Sequence, residues 1–427
     1  AMPVAMALFT AILAQIASHV LVSRLHPFLA IAFAAFLLLI LAAPMNLGDA
    51  VTALSFAMFY NRIGWVALAL LLVLYLSPYR SAQGSTLKDA AAAAALTLIM
   101  VYLRVSYGLV ALGFLLFMTT DRGQRRWVAL AIVLTALVLL FVELLWGGSS
   151  TYLRDSWLAM RQTSADYLQL GVAHLADFLL LSLLAGLSLW RRWAIRDFVF
   201  FIFCGGAGLW LLSQNVQGWG IISIHAAAAV AAQRLLQQMD EGSGTREGAF
   251  VNRAGIKLFF LAFVLPTALH CAMALALHAG AATVRAGQAL ELPRLSGIRL
   301  ADLWTGGDFG GGRWYLSTVD DGLSLLARQD MPIGRLAVVG AVDAFSPVLG
   351  LPPADGGVVD LRWSGMEAVS PQRALAGADT ILFRNPGDTP VGAAAQYLDF
   401  AGRNFSRVGE SQHWILFRRN QPTAVPE

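Results

Sequence analysis

The residues of this chain best suited to chemistry are polar side chains set beside long apolar segments. Arg62 lies in the run Tyr60-Asn-Arg62, Arg104 in the run Arg104-Val-Ser-Tyr107, and amides follow in the run Gln214-Asn-Val-Gln217. A polar group at membrane depth is costly unless it is paired or functional. Because a guanidinium donates two hydrogen bonds to one phosphate, this set predicts a site for an anionic lipid headgroup. The alternative is that Arg62 and Arg104 are interfacial anchors whose charged heads reach the lipid phosphates.

The histidines predict little metal chemistry. His174 and Asp177 stand three residues apart on one helix face, which suits either a proton relay or a buried hydrogen bond between helices. His225, His270 and His278 stand alone, so their spacing predicts no metal site.

The cysteines and glycines add no cofactor signature. Cys204 and Cys271 both lie inside apolar runs, so neither a disulfide framework nor a thiolate metal site is expected. The glycine-rich run from Gly306 to Gly312 lacks the Gly-Lys-Ser/Thr ending of a phosphate loop, and it is expected to be a surface loop. No cofactor is predicted, and a requirement for a divalent metal stays open.

Ten apolar segments must position these residues, and together they predict an all-α polytopic membrane bundle. They lie at roughly 4–23, 27–44, 63–79, 89–103, 105–120, 127–146, 171–190, 197–213, 217–234 and 257–280. The fourth and fifth are short, and about 15 residues of helix reach only about 22 Å. The turn between them, which carries Arg104, is therefore expected below the headgroup surface.

The basic residues of the connections predict the orientation of the bundle, because cytoplasmic loops are enriched in Lys and Arg. One set of loops holds thirteen of these residues, whereas the other holds only Arg62, Arg104, Arg154 and Arg161. The crowded set is therefore expected in the cytoplasm. This arrangement places both residue 1 and the C-terminal part outside. Because no export signal precedes it, an outside N-terminus leads us to expect a missing upstream helix.

The composition changes after residue 282. The whole chain is 58% hydrophobic and only 13% charged, but residues 283–427 hold as many charged residues as the longer part before them. We therefore expect a transmembrane helical domain at 1–282 and a small soluble extracytoplasmic α/β domain at 283–427. Short apolar runs predict strands near 336–339, 358–361, 380–383 and 414–417, and helices are expected at 316–329 and 389–402. The charge pattern offers no nucleic-acid-binding patch, so membrane lipids are the expected partners.

This layout resembles the GT-C class of integral membrane glycosyltransferases. More narrowly, Tyr60-Asn-Arg-Ile-Gly-Trp65, Arg104-Val-Ser-Tyr107 and Asn215-Val-Gln217 are similar to stretches of an uncharacterised bacterial membrane family that is usually grouped with that class. The run from Ala344 to Pro353 resembles a patch of that family's terminal domain. The resemblance covers most of the chain, although its motifs are short.

The resemblance implies transfer of a sugar from a polyprenyl-phosphate donor to a lipid-linked or envelope glycan acceptor in a bacterial inner membrane. Arg104, with Arg62, would hold the donor phosphate, and Tyr107, Asn61, Asn215 and Gln217 would line the cavity. In that class a carboxylate of the first outer loop serves as general base. No acidic pair stands near this N-terminus, so the catalytic residue is unassigned and the N-terminal part is expected to be missing. If the chain is complete, the enzyme interpretation loses much of its support.

Three alternatives stay open. An O-antigen polymerase or ligase-like enzyme would also use outer arginines, but it predicts a larger outer loop than the 147–170 segment. A proton-coupled transporter would use His174 and Asp177, but it ordinarily has two related halves. A non-catalytic membrane scaffold would bind an envelope partner through the C-terminal domain.

Overall fold

The chain divides into two compact units, Ala1–Gly280 and Ala281–Glu427, in a computed structural model. The structure describes residues 2–45, 47–52, 59–79, 85–160, 167–214, 220–241, 252–292, 294–303, 307–329, 332–340, 342–352, 354, 359–360, 370–385 and 391–420.

The first unit is helical. Its helices are α1 (Met2–Arg24), α2 (Pro27–Ala42), α3 (Phe59–Val73), α4 (Ser85–Leu103), α5 (Val105–Met118), α6 (Arg125–Trp146), α7 (Ser149–Met160), α8 (Tyr167–Ala173), α9 (Leu175–Arg191), α10 (Ile195–Ser213), α11 (Ile222–Glu241) and α12 (Arg253–Thr283). Each of the ten predicted apolar segments overlaps one of these helices, and the seventh is divided between α8 and α9.

Several of these helices suit a membrane crossing. Within the described ranges, five helices are long and apolar enough to span a bilayer: α1, α4, α6, α10 and α12. The pair α8 and α9, bent by 72°, makes a sixth if it is counted as one span. α2, α3 and α5 are shorter apolar helices. The first unit therefore has the character of a multi-pass membrane protein.

Burial separates central helices from lipid-facing ones. α3 is buried on all sides from Asn61 to Val73, and it contacts α11, whose alanine-rich first half is equally buried. A helix that is apolar all round belongs to the inside of a bundle. α6 instead exposes Phe141, Leu144 and Leu145, as a helix in contact with acyl chains would. α3 is therefore the central element that holds Asn61 and Arg62.

Contacts between helix termini define two ends of this unit. At the Arg104 end, Arg104 contacts the start of α3 and the residue that follows α10. At the Tyr75 end, the end of α1 contacts the residues after α3 and the start of α4, and the residues after α3 also contact the start of α10. Consecutive long helices therefore alternate in direction, as the predicted loop parity requires.

The second unit contains a five-stranded mixed sheet. Its strands run in the order β4 (Val359–Asp360), β3 (Leu336–Gly340), β5 (Thr380–Arg384), β7 (Trp414–Arg419) and β6 (Phe405–Glu410). β3 pairs in parallel with β4 and β5, whereas β7 is antiparallel to β5 and β6. A separate short ribbon joins β1 (Gln288–Ala289) to β2 (Arg299–Leu300). The helices are α13 (Gly307–Ala327), α14 (Phe345–Leu349), α15 (Pro371–Ala374) and α16 (Val391–Asn404).

One expectation for this unit is wrong. The glycine-rich run predicted as a surface loop is helical from Gly307 onward, because α13 begins there. The later residues Val319, Leu325 and Leu326 are buried against the sheet core, and this packing anchors the helix. Tertiary packing of this kind outweighs the helix cost of about 1 kcal/mol for each glycine.

Candidate functional site

The Arg104 site begins with a one-residue break between two helices. α4 ends at Leu103 and α5 begins at Val105, so Arg104 alone separates them, in extended conformation with φ −165° and ψ 120°. Its N–H donates to the Met100 carbonyl at 3.0 Å, and its carbonyl accepts from the Tyr107 N–H at 3.0 Å. Arg104 therefore completes the last turn of α4 with its N–H and begins the first turn of α5 with its carbonyl.

Glycine permits the close packing at this break. A Cβ atom on Gly108 would lie 2.9 Å from the backbone Cα of Val101, closer than such atoms pack. The first turn of α5 can therefore approach the last turns of α4 only because residue 108 has no side chain.

Three residues from two segments contribute contacts to the Arg104 guanidinium. Its Nη1 donates to the Asn61 Oδ1 of α3 at 3.5 Å, which is a long hydrogen bond, and its Nη2 donates to the Gln214 carbonyl that follows α10. The guanidinium carbon lies 5.6 Å from the centre of the Tyr60 ring, within cation–π distance. These contacts orient the cation through an amide oxygen, a carbonyl and an aromatic ring.

Asn61 and Arg62 face different neighbours. Asn61 is fully buried, and its Nδ2 has no hydrogen-bond partner among the described residues. Arg62, also buried, is the next residue, about 100° further round the helix. α3 therefore presents Asn61 to Arg104 and directs the second guanidinium away from that contact.

Of the remaining predicted site residues, the structure describes Tyr107 but not Asn215 or Gln217. Tyr107 is fully buried; its ring meets Trp65 edge to face at 5.4 Å and lies against Gly64. It therefore packs α5 onto α3 beneath Arg104. Asn215 and Gln217 lie outside the described residues. The neighbouring Gln214 supplies its backbone carbonyl, and a backbone group gives no signal in a sequence.

A surface helix also approaches the site. The Tyr152 hydroxyl on α7 donates to the Val101 carbonyl at 3.2 Å. Burial raises the pKa of Tyr152, while a hydrogen bond with Ser156 and the positive charge of Arg104 lower it in part. Because Val101 lies three residues before Arg104, this contact packs α7 close to the helix break. The sequence of the 147–170 segment gives no signal that connects it to Arg104.

Glu143, at the end of α6, stabilises the start of α7. Its carboxylate accepts from the Ser149 N–H at 2.8 Å and from the Ser150 hydroxyl at 2.9 Å. A carboxylate that caps helical N–H groups in this way is a structural element.

His174 and Asp177 lie at the bend between α8 and α9. The His174 Nδ1 is 3.6 Å from the Asp177 Oδ2. His174 is buried, and its Nε2 has no hydrogen-bond partner within the described part of the chain. At this distance the two atoms lie just beyond hydrogen-bond range.

The Tyr75 end holds a closed ion pair. Arg24 is fully buried; its Nη2 donates to the Asp89 Oδ2 at 2.6 Å and its Nε to the Leu76 carbonyl at 2.9 Å. The other oxygen of Asp89 contacts the His19 Nε2 at 2.9 Å. These bonds join α1 and α4 to the residues after α3.

No group of three or more His, Cys, Asp or Glu side chains in the described ranges is arranged to hold a metal ion. Comparison with protein-family models, curated proteins and solved structures finds no match to this chain.

Proposed function

We propose that this protein is an integral membrane glycosyltransferase of the GT-C type, in which Arg104 binds the phosphate of a polyprenyl-phosphate-linked sugar donor. One observation supports this proposal above the others. The three sequence runs that carry the resemblance are far apart in the chain, yet Asn61 and Tyr60 of the first and Gln214, beside the third, contact Arg104 of the second. Residues that serve only as separate lipid anchors have no reason to converge.

The proposal includes a membrane orientation. All ten apolar segments would cross a bacterial inner membrane, with the Tyr75 end in the cytoplasm and the Arg104 end outside. The positive-inside rule supports this direction, because the basic residues of the connections are concentrated at the Tyr75 end. The second unit would then lie outside the cytoplasm, on the side where envelope glycans are assembled.

The chemistry assigned to Arg104 is recognition and charge stabilisation. An acceptor hydroxyl oxygen attacks the anomeric carbon of the donor sugar, the bond from that carbon to the phosphate oxygen breaks, and a general base takes the hydroxyl proton. Polyprenyl phosphate leaves with an additional negative charge, which a fixed guanidinium stabilises. The general base is not assigned to a residue of this chain, and the carboxylate of Glu143 is committed to capping α7.

The test is binding of a polyprenyl phosphate to the purified full chain in neutral detergent. The wild type should bind polyprenyl phosphate more tightly than the matching polyprenol, which lacks the phosphate. Arg104→Ala should weaken binding of the phosphate form by about 10-fold or more, because a hydrogen bond to a charged group contributes about 1.5–3 kcal/mol. Arg104→Lys should retain part of the affinity, because the charge remains but the two-pronged geometry does not.

Arg154→Ala is the matched control. Arg154 is an exposed arginine on α7 of the same sparse basic set, so its removal changes the charge equally without touching the Arg104 contacts. It should leave the affinity unchanged. Equal affinity of Arg104→Ala and wild type for polyprenyl phosphate would remove the proposed role.

A second candidate, a proton-coupled transporter, is favoured by the helix break at His174. Discontinuous helices with buried polar groups are typical of secondary transporters. This candidate predicts that substrate uptake into proteoliposomes depends on a proton gradient and is lost in Asp177→Asn. The transferase proposal instead predicts release of polyprenyl phosphate from a polyprenyl-phosphate sugar without any gradient.

A further inference from the structure

A polar pocket opens at the Tyr75 end, away from the Arg104 site. It has a volume of about 260 Å³ and lies among the residues after α3, the turn from α9 to α10 and the last turns of α11. Its polar lining includes Tyr75, Arg192, Arg196, Asp197, Arg234 and Gln238. We call this cavity the Tyr75 pocket.

Tyr75 organises the charged groups around this pocket. Its hydroxyl donates to the Asp197 Oδ1. The guanidinium carbon of Arg196 lies 4.6 Å from the centre of the Tyr75 ring, and that of Arg234 lies 5.6 Å from it. Cation–π contacts of this length hold both guanidiniums against one ring, so two positive charges are fixed at the wall of one cavity.

The neighbouring carboxylates accept only some of the hydrogen bonds that Arg196 and Arg234 can donate. Arg196 donates Nη1 to Asp121 at 2.7 Å, whereas the Arg234 Nη2 is 3.5 Å from an Asp197 oxygen that already accepts from Tyr75. Each guanidinium has five N–H donors. The side chains of Arg196 and Arg234 are 28% and 31% exposed, and the contacts named above use only some of these donors, so donors remain for a further acceptor.

The third arginine leaves the pocket accessible. Arg192 contacts Glu241 at 3.0 Å, and about two thirds of each side chain is exposed. An exposed pair of this kind is weak, and either partner can move aside. Arg192 is therefore free to turn its donors toward a ligand in the pocket.

Exposed tryptophans place the pocket at a bilayer interface. Trp190 and Trp193, on either side of Arg192 and its neighbour, are 88% and 66% exposed. Ile195, at the start of α10, is also exposed. Tryptophans of membrane proteins concentrate at the headgroup level, which is the level at which phospholipid phosphates lie.

We propose that the Tyr75 pocket binds a phosphate group, presented by an anionic phospholipid headgroup or by a free phosphate. The planar guanidinium fork matches phosphate oxygens, and basic pockets between transmembrane helices bind anionic headgroups. The lining carboxylates of Asp197 and Glu241 keep the net charge of the pocket small, so binding is of moderate strength and depends on the arrangement of donors. This site is separate from Arg104 and does not depend on glycosyl transfer.

Native mass spectrometry of the full chain in neutral detergent tests this proposal. Titration with phosphatidylglycerol should give tighter binding than titration with phosphatidylcholine of the same acyl chains. Arg234→Gln should weaken phosphatidylglycerol binding by about 10-fold, which is the effect of losing a charge-assisted hydrogen bond. Arg192→Gln, a change at an exposed position that leaves the fold undisturbed, should weaken it by a smaller factor.

The control and a competition arm complete the experiment. Arg125→Gln removes an exposed arginine of the same end, one that contacts the Thr119 carbonyl outside the pocket, and it should leave binding unchanged. Inorganic phosphate that displaces the lipid, at an ionic strength matched with chloride, identifies free phosphate as a second ligand; absence of displacement restricts the pocket to lipid headgroups. Equal binding of the two lipids, or wild-type affinity in both Arg234→Gln and Arg192→Gln, overturns the proposal.

Discussion

Two arginines at opposite ends of the helical unit are stabilised in different ways. At the Tyr75 end, Arg24 is fully buried and forms an ion pair with Asp89, and its Nε and Nη1 donate to the Leu76 carbonyl and the Ser23 hydroxyl. At the Arg104 end, Arg104 is only half-buried, and the contacts described above are with an amide oxygen, a carbonyl and an aromatic ring. The first arrangement joins helices, whereas the second holds a cation in a fixed position.

The two guanidiniums differ in whether they can bind a ligand. Taking a charge pair out of water is costly, and the attraction within the pair offsets this cost only when the geometry is good. Arg24 meets that condition, and because it is fully buried no ligand can reach it. Arg104 is only half-buried and is oriented by dipoles at a helix break, where a phosphate can approach the cation. Variants at the Tyr75 end should therefore mainly lower stability, whereas variants at the Arg104 end should also weaken phosphate binding.

The largest effect is expected at Asp89. Asp89→Asn removes the charge opposite Arg24 and leaves a guanidinium that is fully buried without a counter-ion. Removing one partner of a buried ion pair costs about 3–5 kcal/mol of unfolding free energy. Denaturant or thermal unfolding in detergent should show this loss, while polyprenyl phosphate binding to the protein that remains folded should be unchanged.

A double variant serves as the control for this prediction. Arg24→Met combined with Asp89→Leu removes both charges and replaces them with apolar groups, which often has little effect on stability. We expect the double variant to recover much of the stability lost in Asp89→Asn. A double variant no more stable than the single one would show that the helices depend on hydrogen bonds of this cluster beyond the ion pair.

A smaller effect is expected at the Arg104 end from Gly108→Ala. The new methyl group would meet the backbone of Val101 at 2.9 Å, so the break between α4 and α5 must widen. Overpacking of this kind costs about 1–3 kcal/mol. Because the break positions Arg104, polyprenyl phosphate binding should weaken as well, in contrast to Asp89→Asn. Unfolding and binding are measured on the same preparation.

Gly113→Ala on the same helix is the matched control. A Cβ atom at residue 113 would meet only Phe203, at an ordinary contact distance of 3.7 Å. Alanine also favours a helix more than glycine does, so this variant should be at least as stable as the wild type and should bind normally. If Gly108→Ala loses stability but binds with wild-type affinity, the geometry of the break does not set the position of Arg104.

The sequence predicted the helices of the first unit well, because each helix has a local apolar signal. It did not predict which distant residues meet. Arg24 and Asp89 are 65 positions apart, and neither residue has a local signal that points to the other. The 72° bend at His174 was also missed, since no proline marks it. Strand β6 was missed because it is mostly exposed and lacks an apolar run.

The candidate site was predicted in part for similar reasons. Arg104 and Asn61 were recognised because polar residues stand out in apolar surroundings, and the structure places them in contact. The Gln214 carbonyl and the approach of Tyr152 could not be predicted, because one is a backbone group and the other depends on the docking of α7. The two guanidiniums predicted at one depth lie at different faces of α3, because Arg62 lies about 100° round the helix from Asn61, which contacts Arg104. That arrangement depends on helix rotation, which a local pattern does not fix.

The smallest predicted effect returns to the Tyr75 end and its positive charge. His26 caps α2, because its Nδ1 accepts from the Phe28 N–H at 3.2 Å. Burial lowers the pKa of His26, and the charges of Lys257 and Arg253 lower it further. A folded pKa below the ordinary value of 6.5 means that the unfolded chain takes up a proton at a higher pH than the folded chain does. The stability supplied by neutral His26 is therefore complete above pH 6.5 and is lost as the pH falls through the folded pKa.

His26→Asn separates this titration from all others in the protein. Asparagine caps a helix well but does not titrate, so the variant should keep its cap at low pH. Between about pH 7.5 and 5.5, the thermal midpoint of the wild type should fall by about 1–2 °C more than that of the variant. Parallel pH profiles would show that the cap tolerates protonation of the ring. A steeper fall in the variant would mean that His26 is stabilised by its proton, which is the behaviour expected of a histidine beside a carboxylate and would contradict the dense positive charge assigned to this end.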